Sequence, residues 1–182
     1  MGITKITLTK DEEIQAAAAA FICESKGVEN YYFHDQSARG NIHESIRRTA
    51  EALGAEIAAA RYFGITDFKL ELDKFKLRAD IGNRIEVKHT KWLDGHLILR
   101  ERDRVEDLAV LVCGESPNYW VKGWIPIRAA KTSRFKHDKD NSWWVSQHNL
   151  NSMSNLKAVS YTHLRAHETR GNLVCRLLLE KK

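Results

Sequence analysis

Residues 79–90 read ADIGNRIEVKHT and place two carboxylates and one lysine within a short segment. Gly82 and Asn83 are typical of a turn, and the residues after them alternate in the pattern of a half-buried strand. Because successive side chains of a strand point to opposite faces, Glu86 and Lys88 are expected to share one face. The segment therefore predicts a hairpin that carries charged side chains close to its turn.

The position of Asp80 relative to Glu86 depends on the length of that turn. A two-residue turn, Gly82-Asn83, pairs Asp80 with Ile85 and places the two acids on opposite faces. A three-residue turn, Gly82 to Arg84, pairs Asp80 with Glu86 and brings their Cβ atoms to about 4.5–5.5 Å. Like charges at that distance are destabilising unless a cation lies between them. Both turn lengths are compatible with the sequence, and a metal site requires the three-residue turn or a bulge at Asp80.

The chemistry of such a hairpin corner has two interpretations. Two carboxylates, from Asp80 and Glu86, and one backbone carbonyl, that of Val87, form a hard oxygen site suited to Mg²⁺ or Mn²⁺ with several waters retained. A bound divalent ion polarises a phosphodiester and lowers the pKa of its water, and Lys88 on the same face could orient that water. The alternative is a solvated strand face with a surface ion pair worth about 0–1 kcal/mol.

The rest of the chain predicts a short first strand, then two helices, then a strand-rich region. Thr9 with Glu12, and Asn41 with Glu44, have the spacing of helix N-terminal capping residues. Helices are predicted over about 10–25 and 42–63, and strands or strand-like segments over 3–9, 68–72, 75–80, 85–90, 96–101, 108–114, 119–127 and 143–150. The strands that follow the helices are expected to be largely antiparallel. This order predicts a mixed α/β (α+β) fold.

The second predicted helix carries an apolar stripe and an acid beside it. Leu53 and Ile57 belong to a series of apolar residues that recur every three or four positions. Gly54 keeps the neighbouring surface thin, which suits close packing on a sheet. Glu56 lies at the edge of the stripe and would join the two hairpin acids if the helix packs across the hairpin.

Composition describes an ordinary globular chain. It has 182 residues, 43% hydrophobic and 29% charged, which is enough for one domain with a core. The apolar run at 16–23 is too short to span a bilayer, and the beginning of the chain lacks a signal-peptide layout. The cysteines form no CxxC pair, so we expect reduced thiols in a cytoplasmic protein. The histidines before residue 158 lack ligand spacing, which argues against zinc.

The pattern Asp-x5-Glu-x-Lys on adjacent strands, after a helix that carries Glu, resembles the PD-(D/E)xK superfamily of restriction-endonuclease-like nucleases. The resemblance covers about residues 41–127. More loosely, the chain up to residue 157 resembles small, phage-type members in which a GWI strand, an Ala-Lys pair and a Val-x-Gln-x-x-Leu ending follow the site. Here these read Gly123-Trp124-Ile125, Ala130-Lys131 and VSQHNL at 145–150. Ala79 stands where such proteins often have proline.

The resemblance implies a nuclease that hydrolyses DNA phosphodiester bonds with Mg²⁺ or Mn²⁺. It implies a restriction-endonuclease-like core in which a central mixed sheet is flanked by helix 42–63. The implied catalytic residues are Asp80, Glu86, Lys88 and Glu56, and the metal would be held by Asp80, Glu86 and the Val87 carbonyl. DNA is the implied partner, with a homodimer as a further expectation, in a bacterial cell that carries a phage or prophage. The alternative is an inactive nucleic-acid- or protein-binding module of the same fold, serving a phage as an accessory or assembly protein.

A polar segment after the predicted strands holds further basic residues. Lys131, Arg134 and Lys136 are candidates for contacts with DNA phosphates. Asp138 and Asp140 dilute the charge of this segment, so a solvated loop is the alternative interpretation.

The last part of the sequence, residues 159–182, resembles the translation of a transposase-type sequencing adaptor read into an open frame, as in a metagenomic fragment. We therefore expect one domain over 1–157 and an artefactual tail over 158–182. The whole chain has a formal net charge of +5, and its residues before the adaptor-like segment hold 24 basic and 22 acidic residues, a net charge of +2. Net charge thus gives only weak support for a nucleic-acid partner.

Overall fold

The computed structural model describes residues 3–27, 41–70, 72 and 78–156. The elements in chain order are β1 (Thr4–Thr7), α1 (Lys10–Gly27), α2 (Ile42–Tyr62), β2 (Ile85–Thr90), β3 (Leu97–Arg100), β4 (Leu108–Glu115), β5 (Asn118–Pro126), α3 (Ile127–Ala130) and β6 (Ser142–Val145). Two 3₁₀ turns, Ser133–Phe135 and Gln147–Asn149, flank β6. Helices and strands thus combine in a mixed α/β fold, as the sequence predicts.

The main sheet is mixed and has four strands in the order β1-β5-β4-β2. β2 runs parallel to β4, whereas β4 with β5 and β5 with β1 are antiparallel. β3 leaves this sheet and pairs with β6 in a separate antiparallel ribbon, here called the β3–β6 ribbon. The prediction of largely antiparallel strands after the helices is therefore wrong at β2, because β3 carries the chain across to the parallel neighbour β4.

Each face of the main sheet carries its own layer. α2 packs on the face formed by Val87, Val110 and Val112, and α1 packs against α2. The β3–β6 ribbon and α3 cover the opposite face, which presents Ala109 and Leu111. β4 is central and buried on both faces, as its continuous apolar sequence predicts, whereas β2 lies at the edge of the sheet.

The helices begin where local capping chemistry predicts. The Thr9 hydroxyl accepts a hydrogen bond from Glu12 N, and Thr9 N donates to the Glu12 carboxylate at 2.7 Å, which is a complete capping box. The Asn41 side chain accepts from Glu44 N at 3.0 Å at the start of α2. Both helix starts are therefore confirmed.

Two predicted strands before the hairpin differ in the structure. Residues 68–70 and 72 have no regular structure, and residues 78–80 approach the turn outside any strand, so these strand predictions are wrong there. The rest of segment 75–80, the irregular segment predicted after α1 and the adaptor-like tail lie outside the described residues. None of the helices in the described parts of the chain is both long enough and apolar enough to span a membrane.

Candidate active site

The hairpin turn at residues 82–84 has three residues. Ile81 and Ile85 form an antiparallel bridge with two backbone hydrogen bonds, of 3.0 Å and 3.2 Å. Gly82 within the turn has φ of +59°, a left-handed conformation that glycine adopts without steric cost. This is the turn length that a metal site requires.

The Asp80 side chain takes the place of a backbone acceptor next to the Ile81–Ile85 bridge. Its Oδ2 accepts a hydrogen bond of 2.6 Å from Val87 N, in the place where a longer ladder would offer a backbone carbonyl. The N–H and C=O of one strand residue point to the same side, so the Val87 carbonyl is also directed to this edge of β2. The Asp80 carboxylate and the Val87 carbonyl oxygen therefore share the edge that faces away from β4.

Glu86 and Lys88 point to one face, as their spacing predicts. Lys88 Nζ lies 3.0 Å from Glu86 Oε1 and 2.9 Å from an oxygen of Asp103, an acid in the loop between β3 and β4. The side chains of Glu86 and Lys88 are 22% and 19% exposed, and that of Asp103 is 4% exposed. The two hairpin residues are thus largely buried and still reachable from solvent, which excludes a fully solvated strand face.

Sequence reasoning missed Asp103. Its Oδ2 accepts a hydrogen bond of 2.7 Å from Arg100 N, and this bond fixes the carboxylate beside Lys88. The sequence feature that points to it is the charged run RERDRVED at 100–107. This run connects two apolar strands and is short, so its acids must lie close to the ends of those strands. Buried Asp103 and Asp107 both lie within it, but nothing local to the run indicates that Asp103 meets Lys88.

The acids of the site influence each other's ionisation. Burial raises the pKa of the Glu86 carboxyl, Lys88 lowers it in part, and the negative charges of Asp80 and Asp103 raise it further. For Lys88, burial lowers the pKa of the ammonium, but Glu86 and Asp103 outweigh burial and raise it overall. Glu86 and Asp103 both pair with Lys88, and Asp80 adds a third negative charge near Glu86. A divalent cation held by Asp80, Glu86 and the Val87 carbonyl fits this donor set.

Glu56 belongs to the other side of the sheet. It lies on α2, and its Oε2 is fully buried. α2 covers the Val87 face, whereas Glu86 and Lys88 are in register with Ala109 and Leu111 and so point to the opposite face. The structure brings Asp80, Glu86 and Lys88 together at the hairpin. Glu56 lies on the helix that covers the opposite face of the sheet, so its role as an auxiliary acid remains a prediction.

The three basic residues after α3 make contacts within the protein. Lys131 Nζ donates to the backbone carbonyls of Glu101 and Asp103, at 2.7 Å and 2.6 Å. Arg134 is exposed and donates to the Asn149 side chain at 2.9 Å. Lys136 is also exposed and binds the Asn141 side chain. Contacts of these residues with DNA remain a prediction.

The GWI and VxQxxL segments meet each other in the structure. A Cβ at Gly123 would lie 2.8 Å from the Cβ of Leu150, and Trp124 exchanges two backbone hydrogen bonds with Asn151, the residue after that segment. Gln147 Nε2 donates to the Leu93 and Gly95 carbonyls at 2.9 Å and 3.0 Å, which fixes the turn after β2. These residues therefore hold the scaffold around the site rather than contribute to its chemistry.

In the described parts of the chain, no group of three or more His, Cys, Asp or Glu side chains is arranged to hold a metal ion. Lys88 lies between Glu86 and Asp103 and so separates Asp103 from the pair formed by Asp80 and Glu86. A cation at this corner would therefore need the Val87 carbonyl and water in addition to two carboxylates. In the comparisons with known proteins, no family model, no curated protein and no solved structure matches the chain.

Proposed function

We propose that the chain is a nuclease of restriction-endonuclease-like fold that hydrolyses DNA phosphodiester bonds with Mg²⁺ or Mn²⁺. The observation that carries the proposal is the convergence of Asp80, Glu86 and Lys88 at a three-residue hairpin turn, beside the Val87 carbonyl. A helix-flanked mixed sheet with this hairpin at its edge supports the same proposal. A metal site requires this three-residue turn, whereas a surface ion pair of Glu86 and Lys88 is compatible with either turn length.

Asp80, Glu86 and the Val87 carbonyl would hold the divalent cation. The cation would stabilise the negative charge that develops on the phosphate and would lower the pKa of a bound water. Lys88 Nζ donates to two carboxylates, as an ammonium does. It would therefore donate a hydrogen bond to the attacking water or to a phosphate oxygen. That water forms the new P–O bond and loses a proton to solvent, the bond to the departing oxygen breaks, and this oxygen takes a proton.

A second candidate function is a binding module of the same fold that does not cut. The ion pairs of Lys88 with Glu86 and Asp103 favour it, because they satisfy the lysine without a cation. Exposed Arg134 and Lys136 would then serve nucleic-acid binding alone. Metal binding separates the two candidates, because only the nuclease needs the cation.

Millimolar Mg²⁺ is expected to stabilise the folded protein. At a metal concentration ten times the dissociation constant, the stabilisation is about 1.4 kcal/mol, or a rise in melting temperature of about 3–6 °C for a chain of this size. Glu86→Gln should remove this rise, because it removes a charged ligand. Thermal unfolding with Mg²⁺, Ca²⁺ or EDTA measures it. Glu115→Gln, at a 53% exposed acid on β4, is the matched control and should keep the rise.

Cleavage of single- and double-stranded DNA, followed on gels with Mg²⁺, Mn²⁺ or EDTA, tests the nuclease directly. Activity that needs the metal and disappears in Asp80→Asn and Glu86→Gln supports it. DNA binding without cleavage and without metal stabilisation would favour the binding module instead.

A further inference from the structure

Lys88 takes its two carboxylate partners from different parts of the chain. Glu86 is its neighbour on β2, whereas Asp103 comes from the loop between β3 and β4. Asp103 is the more buried of the two acids and is itself fixed by the backbone N–H of Arg100. Lys88 is therefore anchored to a buried loop carboxylate that the backbone of Arg100 holds in place.

A second lysine, Lys131, binds the backbone of the β3–β4 loop. Lys131 follows α3 and directs its ammonium at two backbone carbonyls, those of Glu101 and Asp103. Its ammonium also lies 5.2 Å from the centre of the Trp143 ring. An ammonium has three N–H donors, and two of them here close the loop that presents Asp103. Lys131 thus touches the same residue that pairs with Lys88.

We propose that Asp103 and Lys131 are positioning residues for Lys88. This inference rests on the proposed function, in which Glu86 binds the divalent cation. A cation on Glu86 competes with Lys88 for that carboxylate, and Asp103 is then the partner that keeps Lys88 in place. Lys131 acts through Asp103 and does not contact DNA phosphate.

Chemical labelling of Lys88 tests the positioning without any need for activity. Lys88 is 19% exposed and held by two acids, so brief treatment with sulfo-NHS acetate should modify it slowly. Asp103→Asn keeps the size of the side chain and removes its charge. It should raise acetylation of Lys88 about tenfold, the effect expected for loss of one charge-assisted hydrogen bond. Mass spectrometry of the peptide that contains Lys88, normalised to Lys122, measures this.

Asp107 provides a matched control in the same loop. Its side chain is also 4% exposed and is paired with Arg104 at 2.7 Å. Asp107→Asn removes another buried charge from the same loop but leaves both carboxylate partners of Lys88 intact. It should leave the labelling of Lys88 unchanged. Equal increases in Asp103→Asn and Asp107→Asn would mean general loosening of the loop and would overturn the proposal, as would no increase in either.

Steady-state kinetics separates positioning by Lys131 from phosphate binding. Lys131→Met should lower kcat, leave KM nearly unchanged and raise the acetylation of Lys88. A phosphate contact would instead raise KM and reduce the salt dependence of DNA binding, and that result would overturn the assignment of Lys131. If the wild-type protein does not cleave DNA, the nuclease proposal fails, and the labelling experiment still decides whether Asp103 and Lys131 hold Lys88.

Discussion

Lys88→Ala is expected to lower Mg²⁺-dependent DNA cleavage by about 10²–10³-fold, the cost of removing one donor aimed at the charge that develops in a transition state. The Lys88 ammonium lies beside the Glu86 carboxylate, a proposed metal ligand, and can donate to water or phosphate. Initial rates at saturating DNA and Mg²⁺ measure the loss. Lys122→Ala, on β5, is the control and should cleave normally.

The folding of this variant has to be checked separately. Without Lys88, the Glu86 and Asp103 carboxylates lose a shared charged partner, which costs about 2 kcal/mol. Lys88→Arg keeps the charge and the ion pairs but moves the donor atoms, and misplacement by about 1 Å can cost on the order of 10²-fold in rate. A folded Lys88→Arg protein with low activity therefore supports the catalytic role. Normal activity in a folded Lys88→Ala protein removes Lys88 from the mechanism.

Gly54→Val is expected to have the largest effect on stability, about 3 kcal/mol, from overpacking together with a disrupted hydrogen bond. Gly54 lies where α2 meets β5, and a Cβ there would overlap the hydroxyl of Tyr119. That hydroxyl is buried and donates to the Glu51 carboxylate at 2.8 Å, so it has little freedom to move. The melting temperature should fall by about 6–12 °C, as measured by circular dichroism.

Two further substitutions give this experiment its controls. Ala52→Val, at a half-buried position on the same helix, should cost only about 0.5 kcal/mol of helix propensity. Gly54→Ala should fall between the two, since alanine gains helix propensity but still meets Tyr119. A Gly54→Val protein as stable as Ala52→Val would show that α2 and β5 do not approach each other this closely.

Part of the candidate site was predictable because its chemistry is local. Glu86 and Lys88 share a face through the two-residue repeat of a strand, and this required no knowledge of the fold. The turn length was open, because glycine at 82 permits both a two-residue and a three-residue turn. The choice came from the Ile81–Ile85 bridge and from the Asp80 carboxylate, which takes the hydrogen bond of Val87 N.

Other parts depended on contacts between distant segments. The partner of Lys88 in the β3–β4 loop and the support from Lys131 join residues 15 and 28 positions apart. Such contacts leave no periodic pattern in the sequence. The same reason explains the placement of Glu56: the stripe on α2 indicates which side is buried, but not which face of the sheet buries it.

Local sequence patterns are sufficient to predict the helix starts, the central apolar strand β4 and the shared face of Glu86 and Lys88. Each depends on hydrogen bonds or side-chain alternation within a few residues, so neighbouring residues are sufficient to predict it. Three features depend on the folded arrangement instead: β2 lies parallel to β4, the described residues of segment 68–72 form no strand, and Asp103 pairs with Lys88. These features depend on how the helices and the β3–β6 ribbon pack on the two faces of the main sheet. Burial of apolar area, rather than local residue preference, determines that packing.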